Sequence, residues 1–201
     1  MALHELSTRA DAPVAGFEVE RQWRAHPALQ LPLSVGAWRA VDDRCERLLD
    51  HYYDTADLQL DRKRARLRLR TSDAAEVATL KRHVTSIAGL RRRVEIEGPC
   101  DGDPELSAAF IAARFLTLHP LVELGRIVTA RATRVYARGE RTVEVVRDCV
   151  SYPVGADEWR LEAEGEADYV REIGALLERL PLGLAPVRRG KVRTLLQRCA
   201  A

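Results

Sequence analysis

Apolar and polar residues alternate with a period of two along most of this chain, as they do in β-strands that bury one face. The clearest example is residues 17–23, where Glu18, Glu20 and Gln22 share one face and Phe17 lies on the other. The same alternation predicts seven more strands, over residues 45–53, 65–70, 76–83, 91–97, 121–138, 141–150 and 159–166. About eight strands are therefore expected, each with one apolar face to pack on a core.

Helical patterns interrupt the strands at three places, residues 58–63, 105–116 and 168–180. Pro104 stands at the start of the second helix, and Asp168 is the expected N-cap of the third. Residues 24–39 are interpreted as a loop with one short helix, and residues 187–198 fit a helix or a strand equally well. Because the strands form hairpins without a regular β-α-β alternation, a mainly β fold with an antiparallel sheet or barrel is predicted.

The composition is that of a globular protein, since the 201 residues are 46% hydrophobic and 31% charged. The 32 basic and 30 acidic residues nearly cancel to +2, so no overall field favours nucleic acid or an anionic membrane. The four cysteines form no Cys-x-x-Cys pair that would suggest a zinc site. We expect residues 1–15 to be an N-terminal extension and residues 16–201 to form a single domain.

Charged residues, among them Glu5, Arg9 and Asp11, stand near the N-terminus where a signal peptide would need an apolar core. Charges also interrupt every hydrophobic stretch before it reaches the ~18 residues needed to cross a bilayer. A cytoplasmic location is therefore expected.

The charged faces of the predicted strands are sorted by sign. An early strand carries two carboxylates, a middle strand three guanidinium groups and a late strand two carboxylates, namely Glu18 and Glu20, then Arg66, Arg68 and Arg70, then Glu162 and Glu164. Carboxylates at i and i+2 project to the same side about 7 Å apart, so two such pairs could share a divalent cation. Arginine side chains and Lys81 suit phosphate oxygens. Closing the strands into a barrel would direct both sets into one lumen, although a solvated sheet face explains any single strand equally well.

Eight short motifs carry a family resemblance over almost the whole chain. They are Glu18-Val19-Glu20-Arg21-Gln22, Tyr53-Asp54-Thr55 with Leu67-Arg68-Leu69-Arg70, Thr79-Leu80-Lys81, the set Arg93, Glu95 and Glu97, then Arg134, Asp148, Glu162-Ala163-Glu164 and Gly190-Lys191. In this order they resemble the ExExK, YFDT…LRLR, TLK, RxExE and ExE elements of the CYTH or triphosphate tunnel metalloenzyme superfamily. That superfamily includes inorganic triphosphatases, thiamine triphosphatases and class IV adenylyl cyclases.

The resemblance implies an eight-stranded antiparallel β-barrel tunnel with two or three helices packed outside. It implies hydrolysis of a triphosphate with Mg²⁺ or Mn²⁺, held by some of Glu18, Glu20, Glu95, Glu97, Asp148, Glu162 and Glu164. The implied phosphate-binding residues are Arg68, Arg70, Lys81, Arg93, Arg134 and Lys191, and those most directly involved in catalysis are Glu18, Glu20, Arg68, Arg70 and Lys81. The expected partner is a small-molecule triphosphate, with no nucleic acid and no membrane, and a homodimer is left open.

Gln22 departs from the family pattern, because it stands where the first motif has a lysine. Its amide keeps a hydrogen-bond donor but lacks the positive charge. Arg24, two residues further on, is expected to substitute if the strand continues. Three alternatives stay open: a class IV adenylyl cyclase-like enzyme, a non-catalytic polyphosphate- or nucleotide-binding module, and a structural β domain with a solvated charged face.

Overall fold

Eight strands close into a ring in the computed structural model, which describes residues 14–187 and 189–200. The strands of this part of the chain are β1 (Val14–Arg24), β2 (Ser34–Val35), β3 (Trp38–Thr55), β4 (Ala65–Thr71), β5 (Glu76–Ile87), β6 (Leu90–Pro99), β7 (Leu121–Arg138), β8 (Arg141–Ser151), β9 (Glu158–Gly165) and β10 (Ala185–Pro186). The helices are α1 (Gln59–Arg62), α2 (Ala108–Arg114), α3 (Ala167–Arg179) and α4 (Lys191–Cys199). Most of the predicted extension over residues 1–15 lies outside the described residues.

The ring runs in the order β1-β6-β5-β4-β3-β7-β8-β9, and β9 pairs back with β1. All of these pairings are antiparallel. The two-residue strands β2 and β10 extend the sheet beside β3 and β1. The predicted fold, a mainly β antiparallel tunnel with helices outside, is confirmed.

The second predicted strand is longer than expected, because β3 begins at Trp38 and pairs with β7 along almost its whole length. Residues 41–47 of β3 are exposed on both faces, so they carry no alternation for a sequence pattern to detect. The preceding loop contains β2 and a turn but no helix over residues 24–37. The short helix expected there is wrong.

Two predicted helices begin at other residues. A 3-10 turn replaces the start of the helix predicted over residues 105–116, and α2 follows once the Ser107 side chain accepts a hydrogen bond from the Phe110 amide. The N-cap of α3 is Glu166, and Asp168 lies in its first turn rather than at the cap. The undecided C-terminal segment forms helix α4.

The apolar core lies outside the ring, between the strands and the helices. Helix α3 packs on β1, β8 and β9 around Trp23, Val145 and Leu161, and helices α1 and α2 pack on β4 and β5 around Leu67 and Leu80. Because successive side chains of a strand point to opposite faces, burying the apolar face under helices leaves the charged face for the lumen. None of the helices in the described part of the chain is long and apolar enough to span a membrane.

Helix α4 covers one end of the ring. Val192 and Leu195 on this helix pack against Tyr52, Ile127 and Val150, which lie at the same end of β3, β7 and β8. These three strand residues share the lumen face of their strands, since each is an even number of positions from a polar side chain on that face. The lumen wall therefore becomes apolar where α4 docks.

Candidate active site

The lumen of the ring is a cavity of about 910 Å³ whose wall is mostly charged. Its acidic wall is formed by β1 and β9, which place Glu20 directly opposite Glu164 and Gln22 opposite Glu162. Like charges directly opposite each other on neighbouring strands destabilise a sheet. A cluster of this kind inside a cavity is therefore a candidate functional site.

Three carboxylates converge on this wall. Glu18, Glu20 and Glu164 each offer an oxygen atom, and these oxygens all lie within 4.8 Å of one another. Burial and the neighbouring carboxylates outweigh Arg93 and raise the pKa of Glu20 to about 7. Burial and the charge of Glu162 raise the pKa of Glu164 to about 8. At neutral pH the cluster retains protons unless a cation replaces them, because three ionised carboxylates at this separation repel one another.

The chemistry of the cluster fits a hard divalent cation such as Mg²⁺ or Mn²⁺, which prefers carboxylate oxygens as ligands. The buried atoms Glu18 Oε2 and Glu20 Oε1 receive no hydrogen bond of good geometry from the described residues. Arg93 Nη2 lies 2.6 Å from Glu20 Oε1 and offsets its charge. Both oxygens therefore retain lone pairs for a ligand.

The other predicted metal ligands on the cavity wall surround this cluster rather than form it. Glu95 lies 3.2 Å from the Nζ atom of Lys81. Glu97 accepts a hydrogen bond of 2.9 Å from the hydroxyl of Thr79. Glu162 accepts a hydrogen bond of 2.7 Å from the side-chain amide of Gln22 on β1. Each of these three carboxylates already has a donor.

Strand β4 forms the cationic wall. It is four strands away from β9 in the eight-stranded ring, so it lies on the opposite side of the lumen. Arg70 donates two hydrogen bonds, of 2.6 and 2.9 Å, to the fully buried Asp50. Burial alone would raise the pKa of Asp50, but Arg68 and Arg70 hold it well below its usual range. Arg70 is therefore engaged in a buried ion pair.

Arg68 is less closely paired. Its nearest carboxylate partner is Glu97 at 4.0 Å, and its buried Nε atom has no hydrogen-bond partner among the described residues. Burial opposes its charge, but the carboxylate of Asp50 raises the pKa of Arg68, so the guanidinium is charged. Arg68 therefore lines the cavity with a charged side chain that has an open hydrogen-bonding position.

Lys81 and Arg93 connect the two walls. The Nζ atom of Lys81 lies 2.5 Å from Glu18, and Arg93 lies 2.6 Å from Glu20 and 3.7 Å from Glu18. Both cations line the cavity. They stand at the boundary between the carboxylate cluster and the rest of the lumen.

Asp148 is fully buried on the lumen face of β8, directly opposite Arg131 and apart from the carboxylate cluster. Both of its oxygens accept hydrogen bonds of 2.9 Å from Arg131, and Lys191 donates a third of 2.7 Å. Burial opposes the charge of Asp148, but Lys191 and Arg131 hold its pKa well below the usual range. Asp148, one of the predicted metal ligands, is thus paired with two cations of the cavity wall, and its role as a ligand stays a prediction.

Replacing Asp148 with asparagine is expected to lower the free energy of unfolding at pH 7 by about 3 kcal/mol, because two buried cations lose their partner. The folded-state pKa of Asp148 is depressed, so this contribution is complete above the unfolded pKa of about 3.9 and shrinks as pH falls further. Denaturant unfolding at several pH values measures it. Mn²⁺ affinity is expected to stay within twofold of wild type, and a tenfold loss with unchanged stability would instead make Asp148 a metal ligand.

Arg134 does not reach the lumen. It is three residues from Arg131 along β7, so the two side chains point to opposite faces of the sheet. Arg134 donates two hydrogen bonds, of 2.6 and 2.8 Å, to Asp43 and a third to the carbonyl of Leu31. The predicted phosphate-binding role of Arg134 is therefore wrong, and Arg131 is the arginine of this strand that lines the cavity.

Arg134→Ala is expected to leave triphosphate binding and turnover within twofold of wild type. Its carboxylate partner lies on the outer surface, where such pairs contribute about 0.2–1 kcal/mol to stability. Steady-state kinetics and thermal unfolding check both expectations. A loss of substrate affinity beyond tenfold would contradict the placement of this side chain.

The arginines of the cavity wall that the sequence prediction left out of the site include Arg91, Arg131 and Arg160. Arg91 and Arg160 each lie two residues from a predicted lumen residue, Arg93 and Glu162, so strand alternation could have found them. Arg131 is found only through its position opposite Asp148 in the pairing of β7 with β8. Arg24 does not take the place of the missing lysine. Its side chain is 64% exposed and lies 4.0 Å from Glu158 at the end of β1.

A closed antiparallel ring with carboxylates on one lumen wall and guanidinium groups on the other defines a tunnel-type protein suited to polyanions and divalent cations. The sequence profile of the CYTH domain matches residues 16–185. The chain belongs to the CYTH domain family.

Solved structures with the same fold include two from proteins assigned as adenylyl cyclases. HpAC1 from Hippeastrum, described with a dominant triphosphatase activity, has a TM-score of 0.65 and 18% identity, covering 90% of this chain and 95% of its own. The protein from Bacillus halodurans has a TM-score of 0.64 and 20% identity, covering 90% and 97%. A protein from Pyrococcus horikoshii has a TM-score of 0.52 and 21% identity, covering 90% and 98%. Comparison with curated protein sequences finds no match.

Proposed function

We propose that this protein hydrolyses a phosphoanhydride bond of a linear triphosphate, inorganic or organic, with Mg²⁺ or Mn²⁺. One observation carries the proposal: a cluster of three carboxylates and the loosely paired guanidinium of Arg68 share one cavity inside the closed ring of strands. The carboxylates suit a divalent cation, and the guanidinium suits phosphate oxygens. A metal-bound triphosphate is the class of ligand that needs both.

Glu18, Glu20 and Glu164 are the residues that would hold the metal ion, which supplies positive charge at the phosphate oxygens when bound. Arg68 would donate to the oxygens of the phosphate chain, and its open Nε position becomes satisfied in doing so. Lys81 would contribute a compact positive charge at the edge of the carboxylate cluster. These residues would orient the bound phosphate chain for in-line attack by water.

The protein needs no nucleophilic side chain for this reaction. Phosphoryl transfer demands little covalent chemistry from an enzyme, so positioning and charge stabilisation supply most of the rate enhancement. Positioning and charge stabilisation are both available in this lumen, because its charged groups are held in place by ion pairs. The triphosphatase activity described for HpAC1 supports this proposal, and the cyclase assignment of the same relatives makes cyclic AMP formation the second candidate.

Product analysis tests the proposal. We expect phosphate release from tripolyphosphate, thiamine triphosphate or ATP that depends on Mg²⁺ or Mn²⁺, and a ranking of the three substrates by kcat/KM. Cyclic AMP and diphosphate from ATP would instead support a cyclase. Tight tripolyphosphate binding without turnover would support a binding module, and a lack of both binding and turnover would overturn the proposal. The cytoplasmic location and the single domain stay predictions.

A further inference from the structure

Gln22 is hydrogen-bonded at both ends of its amide. Its Nε2 atom donates to Glu20 Oε2 at 2.9 Å and to Glu162 Oε1 at 2.7 Å, and its Oε1 atom accepts from Arg91 Nη1. These three partners fix the orientation of the amide, because a flip would turn its oxygen towards two carboxylates. Gln22 thus holds two acidic side chains in place while carrying no charge of its own.

Arg91 is the cation that reaches this point of the wall. It lies on β6, two residues before Arg93 and on the same face, and its side chain lines the cavity with 27% exposure. The nearest carboxylate oxygen, Glu20 Oε1, is 3.8 Å from Arg91 but only 2.6 Å from Arg93. The charge of Glu20 is therefore directed mainly to Arg93, and the closest acceptor of Arg91 is the neutral amide of Gln22.

We propose that Arg91 is a phosphate-binding residue of the lumen, and that Gln22 is the positioning residue that couples Arg91 to Glu20 and Glu162. The inference rests on the proposed triphosphatase function. Glutamine suits position 22 because it donates to two carboxylates and accepts from a guanidinium with one planar group. A lysine there would donate to the same carboxylates and bring its own charge, but it could not accept from Arg91.

This coupling makes the two positions interchangeable as sources of charge. With glutamine at position 22, Arg91 is the cation that Gln22 holds beside Glu20 and Glu162, whereas Arg93 and Arg131 pair with these carboxylates directly. With lysine at position 22, a positive charge is present at this point without Arg91. We therefore expect the effect of removing Arg91 to depend on the residue at position 22, which a double-mutant cycle measures.

The cycle consists of wild type, Arg91→Gln, Gln22→Lys and the double variant. Tripolyphosphate affinity is measured by calorimetry, and kcat and KM are measured with Mg²⁺. We expect Arg91→Gln to weaken binding and raise KM at least tenfold when residue 22 is glutamine, and less than threefold when it is lysine. Arg92→Gln is the matched control. Arg92 is the next residue of β6, points to the outer face and stacks on Phe17, so tripolyphosphate binding should be unchanged.

Several outcomes would overturn the inference. Equal costs of Arg91→Gln in both backgrounds would show that the two positions act independently, and a cost no larger than that of Arg92→Gln would show that Arg91 does not bind phosphate. Arg91→Met, which keeps an apolar stem without charge, replaces Arg91→Gln if thermal unfolding shows that the latter is misfolded. Wild-type protein that neither binds nor hydrolyses tripolyphosphate would contradict the proposed function itself, which is a different result from an uncoupled cycle.

Discussion

Replacing Glu20 with glutamine is expected to lower metal-dependent triphosphate hydrolysis by about a thousandfold, while the protein remains folded. Glu20 is 1% exposed and belongs to the three-carboxylate cluster, so the substitution removes an anionic oxygen that the cation would bind. Loss of one preorganised charge-stabilising group typically costs about 10²–10³ in kcat. Phosphate release from tripolyphosphate measures the loss, and calorimetric titration with Mn²⁺ shows whether metal affinity falls with it.

The same substitution is expected to stabilise the protein relative to wild type, and this difference in stability should grow as the pH rises. Burial raises the folded-state pKa of Glu20 to about 7, above its unfolded value. The free energy of unfolding of the wild type therefore falls as the pH rises from the unfolded pKa to the folded pKa and Glu20 ionises. Glutamine cannot ionise and avoids this cost. The free energy of unfolding of Glu20→Gln relative to wild type should therefore increase between pH 5 and pH 8.

Glu140→Gln provides the matched control, because Glu140 is exposed in the turn between β7 and β8. Its kinetics and its stability profile should follow those of wild type. If Glu20→Gln retained wild-type turnover and Mn²⁺ affinity, the carboxylate cluster could not be the metal site. Stability gained at the expense of activity is the expected signature of a strained functional cluster.

The fold could be predicted because strand alternation and hairpin turns are local signals. The positions of β4, β5 and β6 follow from side chains that alternate between an apolar outer face and a charged lumen face. The prediction failed where that alternation is absent, as in residues 41–47, which are exposed on both faces of β3. It stayed undecided between helix and strand for α4, because the apolar residues of this helix pack on the end of a ring that is assembled from distant strands.

The candidate site could be predicted as a set of residue types but not as a set of contacts. The sequence places Glu18, Glu20 and Glu164 on predicted lumen faces, and the closure of β1 onto β9 brings them together. The ion-pair partners are not local. Asp148 is anchored by Arg131 and Lys191, which are 17 and 43 residues away, so its role as a buried anchor is visible only in three dimensions.

Arg68→Ala is expected to lower kcat/KM for tripolyphosphate by about a hundredfold, with a small change in stability. A charged hydrogen bond contributes about 1.5–3 kcal/mol, and Arg68 has donors open to more than one phosphate oxygen. Arg68 also supports the charge of the buried Asp50, but it donates no hydrogen bond to a carboxylate in the described part of the chain, so its loss costs the fold less than the loss of Arg70. We therefore expect the melting temperature to change by only a few degrees.

Arg70→Ala, two residues further along the same strand, is the informative comparison. This substitution removes both hydrogen bonds to the fully buried Asp50, and breaking a buried ion pair in this way costs about 3–5 kcal/mol. For a domain of this size, such a loss corresponds to a decrease in melting temperature of roughly 6–20 °C. Kinetics and thermal unfolding of both variants should therefore separate a phosphate-binding arginine from a structural one. If the two variants instead lost kcat/KM and melting temperature to the same extent, the ion pairing seen in the free protein would not indicate which arginine of β4 binds the substrate.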